Sequence, residues 1–115
     1  MINLSQKKTL IYIILLLVTL AVYWQVKHLA FVDLDDFVYV SENLNIQSGI
    51  TPKSIVWAFS TTYAEFWHPL TWLSLMLDYE LYGLNAGGYH LTNLILHILS
   101  TLLLFRLFST MTGEI

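Results

Sequence analysis

The sequence predicts an all-α membrane protein, with two transmembrane helices joined by an extracytoplasmic segment whose shorter helices lie along the membrane. Three observations lead there. Hydrophobic residues make up 57% of the 115 residues and charged residues only 11%, against about 25% charged in ordinary soluble domains. Two long apolar runs lie towards the ends of the chain, and the stretch between them is acidic and rich in Trp, Tyr and Phe. A soluble chain this short could not bury so much apolar surface, because small domains have a high ratio of surface to volume. The surplus has to face lipid or partner helices.

Residues 1–8 form a short N-terminal segment ending in Lys7 and Lys8. The run from Thr9 to Trp24 has no charged residue. Extended to Val26, it reaches the roughly 17–20 residues that cross a bilayer core, which sets the first transmembrane helix at 9–26. A signal peptide also starts with a basic end, but its apolar stretch is shorter and closes on small residues. Here the run closes on Val22-Tyr23-Trp24-Gln25-Val26, bulky and aromatic, so the helix is expected to be retained.

The segment 27–88 is too aromatic for disorder. Thr51-Pro52 reads as a helix start, Thr as N-cap and Pro in the first helical position. The stretch Ser54 to Thr62 follows it, with Ile55, Trp57, Ala58 and Phe59. Another helix is expected from His68-Pro69 to Tyr82, stopped by Gly83. It is apolar nearly all round and too short to span, so it either lies in the membrane interface or is buried against other membrane helices. Asn85-Ala86-Gly87-Gly88 reads as a turn feeding the second span.

That second transmembrane helix is expected at 89–108, with Arg106 snorkelling to the headgroups and a short tail at 109–115. Asn93 and His97 lie four apart and share one helix face. Polar residues at membrane depth usually face other helices or a wet cavity, which points to a larger bundle. Lys7, Lys8 and Arg106 flank one side, whereas seven of the eight acidic residues lie between the spans with only Lys27 and Lys53 as bases. By the positive-inside rule both termini are cytoplasmic.

The net charge of −3 shows no basic patch of the kind nucleic acid binding requires. No cysteine is present, so disulfides and thiolate metal sites are excluded. There is no Gly-rich phosphate loop, nucleophile elbow or dinucleotide fingerprint. The sharpest local feature is Asp33-Leu34-Asp35-Asp36. Carboxylates gathered at a membrane surface can act as a general base or hold a hydrated divalent cation; a solvated acidic loop that helps set topology is the plainer alternative. His28, His68, His90 and His97 show no zinc-type spacing, and no residue is assigned as a metal ligand. His68 sits before a helix start, a position from which an imidazole could meet a phosphate-bearing ligand.

Beyond residue 30 the chain resembles the N-terminal part of a family of multi-span, tetratricopeptide-repeat-bearing membrane glycosyltransferases. These are similar to protein O-mannosyltransferases and have the C-type (GT-C) fold. The stretches that carry the resemblance are Phe31 to Val40 around the acidic turn, Gly49-Ile50-Thr51, Trp67-His68-Pro69-Leu70-Thr71-Trp72-Leu73-Ser74, and Asp78. They continue with Gly83-Leu84-Asn85, His90-Leu91-Thr92-Asn93-Leu94 with His97, and Met111-Thr112-Gly113. The resemblance implies sugar transfer from a polyprenyl-phosphate carrier to a protein hydroxyl. Asp35 and Asp36 match the family's acidic pair, one of them acting on the acceptor hydroxyl, while His68 and Asp33 would contact substrate. It also implies further membrane helices as partners, a bacterial inner-membrane location, and a chain that is the N-terminal portion of an enzyme and inactive alone. The competing expectation is a non-catalytic subunit or remnant that docks other membrane helices through Asn93 and His97.

Overall fold

The structure, a computed structural model, describes residues 3–113. The outermost residues of the two terminal segments, 1–2 and 114–115, lie outside this range. All regular structure among the described residues is helical, and two helices are long and apolar enough to cross a membrane. The chain divides into two compact units, one formed by both end regions and the other by Lys27–His90.

In the first unit, α1 spans Leu4–Tyr23, and a 3-10 turn follows over Trp24–His28. Its 20 residues give about 30 Å of helix, the thickness of a bilayer hydrocarbon core. The helix starts five residues ahead of the expected span because Asn3 and Gln6 form a capping box: Gln6 N donates to Asn3 Oδ1 (2.8 Å) and Asn3 N donates to Gln6 Oε1 (3.0 Å). Lys7 and Lys8 therefore sit inside the helix, in its first turns. None of its residues is buried, as a helix with lipid on most sides requires.

The other long helix, α5, spans Ala86–Thr112, and its residues from Leu91 onward belong to this unit. Tyr12 meets Phe105 edge to face at 5.0 Å, and Tyr23 meets His97 at 5.3 Å. Ascending positions on α1 face descending ones on α5, so the two run antiparallel.

The second unit holds α2 (Leu44–Gln47), α3 (Pro52–Ser60) and α4 (Pro69–Tyr82), with the first turns of α5. The Thr51-Pro52 start has the expected form: Ser54 N donates to Thr51 Oγ1, and Thr51 N donates to Ser54 Oγ. The α4 helix begins at Pro69 and stops at Gly83, whose φ of +59° lies in the region that favours glycine.

The core of this unit is Ile46, Ala58, Trp72 and Met76, all fully buried. Three helices contribute to it, with α4 supplying Trp72, the largest side chain, and Met76, each stabilising by about 1.5–3 kcal/mol on burial. One face of α4 is thus buried inside the unit. The opposite stripe, Leu70, Leu77 and Leu81, is exposed. The apolar-all-round pattern therefore reflects two different surroundings, one for each face.

The Asn85 to Gly88 stretch departs from the expected turn: α5 already begins at Ala86. Asn85 caps it by accepting from Gly87 N at 3.1 Å. The glycines are there for close approach. A Cβ on Gly87 would collide with the backbone oxygen of Lys27, and one on Gly88 with the Tyr82 side chain.

Candidate functional site

Asp33, Leu34 and Asp35 make a turn ahead of a wide helical turn at Phe37–Ser41. The turn is closed from within. Val32 N donates to Asp36 Oδ2 at 2.7 Å, Leu34 N to Val32 O at 2.7 Å, and Tyr39 N to Asp35 O at 2.9 Å. The Asp36 carboxylate is half-buried and spends one lone pair on this backbone bond. Asp33 and Asp35 are exposed.

Asp35 lines a hollow of about 270 Å³ with Val38, Tyr39, Ala64, Glu65 and Phe66. Two of these residues, Ala64 (φ +57°) and Glu65 (φ +65°), are left-handed, although neither is glycine. Each costs on the order of 1–2 kcal/mol in that conformation. Sequence reading did not single out Glu65, because the Tyr63-Ala64-Glu65 segment contains none of the Gly, Asn or Asp residues that usually signal a left-handed turn.

His68 occupies the N-cap position of α4, but its side chain makes no capping bond. Its ring lies 4.7 Å from Trp72, 5.7 Å from Tyr39 and 6.2 Å from Phe66, between centroids. Nε2 is buried among these rings without a hydrogen-bond partner among the described residues. On its other side His68 borders a second hollow, of about 470 Å³, with Phe59, Trp67, Pro69, Leu70 and Thr71. Its walls are apolar apart from Thr71 and the imidazole. Any ligand contact there falls to the edge of the ring away from Nε2.

The acidic turn and His68 thus share neighbours. Tyr39 and Phe66 line the Asp35 hollow and also face the imidazole, so one aromatic cluster joins an acidic hollow to an apolar one. Sequence spacing could not show this, since Asp35 and His68 lie far apart in the chain and are brought together by tertiary packing, including that of Tyr39 on Trp72 (5.0 Å, nearly parallel). Among the described residues, no three His, Asp or Glu side chains converge as a metal site. Asn93 and His97 remain exposed on α5, the latter edge-on to Tyr23 within its own unit. Against known proteins, the chain matches no family, no curated protein and no solved structure.

Proposed function

We propose that this chain is the N-terminal, acceptor-side portion of a membrane glycosyltransferase that moves a sugar from a polyprenyl-phosphate carrier to a protein hydroxyl. The motif resemblance suggests the reaction class. The observation that carries it onto the fold is the pair of hollows joined by Tyr39, Phe66 and His68. A base on the acceptor side and a phosphate-facing group beside an apolar groove are what an inverting transfer from a lipid carrier requires.

In this reading Asp35 takes the proton from the acceptor hydroxyl. The freed oxygen attacks the anomeric carbon, and the bond from that carbon to the carrier phosphate breaks. Asp36 positions the turn through its bond to Val32 N. Asp33 lies at the rim as a substrate contact, and the imidazole of His68 faces the departing phosphate. The two spanning helices hold the unit at an outer membrane face, in a bacterial inner membrane with both termini cytoplasmic, and further membrane helices complete the bundle.

The test is transfer from radiolabelled polyprenyl-phosphate mannose to acceptor protein in membranes that contain the complete native polypeptide. Removing a general base costs roughly 10²–10⁴-fold. Asp35→Asn should lose that much with its membrane level unchanged, and Asp36→Asn should lose less. Undiminished transfer in both single variants and in the double variant sinks the proposal. A second reading, a docking subunit, is favoured by the exposed Asn93 on α5. It predicts that Asn93→Leu, not Asp35→Asn, removes function by releasing a partner helix.

A further inference from the structure

The exposed apolar surface of the Lys27–His90 unit is continuous where α3 ends and α4 begins. Phe59 is 50% exposed, Trp67 64% and Leu70 75%, and the three line one hollow. The surface continues along α4 as Leu77 and Leu81, on the side opposite the buried Trp72 and Met76. On α3, Val56 extends it. The sequence beneath it has no Lys, Arg, Asp or Glu over 54–64 or over 66–77, with Glu65 alone between them. The Trp67 indole N–H donates to Phe59 O at 2.9 Å, so the ring already has its hydrogen bond and needs no water there.

We infer that this ridge dips into the membrane, with Phe59, Trp67 and Leu70 seated at the boundary between headgroups and acyl chains. Two observations select lipid as the occupant. The unit is joined at both ends to helices long and apolar enough to cross a bilayer, so the membrane surface stays within reach by covalent connection. Trp and Phe beside aliphatic residues, with no charge among them, is the composition of an interfacial anchor rather than of a polar protein–protein rim. The inference moves the interfacial role from the whole of α4 to one stripe of it and to the 59–70 connection, and it does not depend on the transferase reading.

The chain has no cysteine, so single spin labels can be placed on it at chosen positions in lipid vesicles. Phe59→Cys, Trp67→Cys and Leu70→Cys probe the ridge, and Glu42→Cys gives an exposed reference in the same unit. Labels on the ridge should collide freely with oxygen and poorly with an aqueous nickel chelate, at about 5–10 Å depth, with the opposite preference at Glu42→Cys. Ridge labels as open to the chelate as the reference overturn the inference. So do labels shielded from both probes, since protein then covers the ridge. A gentler variant guards against misfolding: in vesicles of acyl-brominated lipid, Trp67→Phe should remove a large share of the quenchable tryptophan emission. An unchanged quenchable share there also overturns it.

Discussion

The imidazole of His68 and the indole of Trp72 each bury a nitrogen that has no hydrogen-bond partner among the described residues, with ring centroids 4.7 Å apart. Leaving a buried polar group unsatisfied costs about 1–3 kcal/mol, and aromatic pairing returns about 0.5–1.5 kcal/mol per contact. A histidine kept in such a place needs a reason other than stability. His68→Phe keeps the ring and removes the nitrogen, so thermal unfolding of the purified protein should shift upward or not at all. On the proposed transferase reading, transfer by the complete native polypeptide should nevertheless fall, because phenylalanine cannot meet a phosphate. A large drop in unfolding temperature would mean instead that the imidazole is paired and structural. The candidate residue types were legible at this scale, since Asp33, Asp35, Asp36 and His68 stand out in the sequence as chemistry. Their different surroundings were not. Asp36 is half-buried and folds its carboxylate back onto the Val32 N–H, whereas Asp35 is exposed and lines the hollow, a difference that no spacing rule specifies.

At the scale of elements, helix boundaries were readable at α3 and α4, whereas the Asn3–Gln6 capping box that starts α1 and the Asn85 cap that starts α5 were missed. Thr51 with Pro52 fixes the start of α3, and Pro69 with Gly83 brackets α4, because caps and positive φ act locally. Gly87-Gly88 misled for the complementary reason. Glycine marks turns when freedom of φ is what matters, whereas these two are helical and small because neighbouring groups press against them. The wide turn at Phe37–Ser41 and the left-handed Ala64-Glu65 pair were equally hidden, since tertiary packing holds them. If close approach is the role of Gly88, Gly88→Ala must force apart the start of α5 and the root of the Tyr82 side chain. Overpacking of this kind costs about 1–3 kcal/mol, despite alanine's better helix propensity of roughly 1 kcal/mol. Chemical denaturation in detergent should therefore show Gly88→Ala less stable than the parent. A gain in stability would show that the contact relaxes freely and that the glycine serves only the helix start.

For the whole molecule, two helices able to cross a membrane and the unit between them leave one large question, the side on which that unit lies. The positive-inside rule predicts an answer from charge. Lys7, Lys8 and Arg106 flank the spans at the chain ends, and the unit between carries seven acids against Lys27 and Lys53. By that rule the bases count, since acids contribute little to orientation, and three lie towards the chain ends against two between the spans. The two loop cations are also unequal: Lys27 adjoins the first span, whereas Lys53 lies in α3, well along the segment. Residues within about 15–20 positions of a span end count most, which leaves Lys27 as the main opposing charge. Single cysteines on the cysteine-free chain read the outcome directly. On the proposed orientation, Glu42→Cys should react with a membrane-impermeant maleimide while the membrane holding the chain is intact, and Ser5→Cys only after that membrane is opened. The reverse pattern would put the acidic turn in the cytoplasm, out of reach of any carrier lipid presented at the outer face. Adding a second lysine beside Lys27, as Gln25→Lys, should weaken the bias and give a mixed labelling pattern if flanking charge is what holds the orientation.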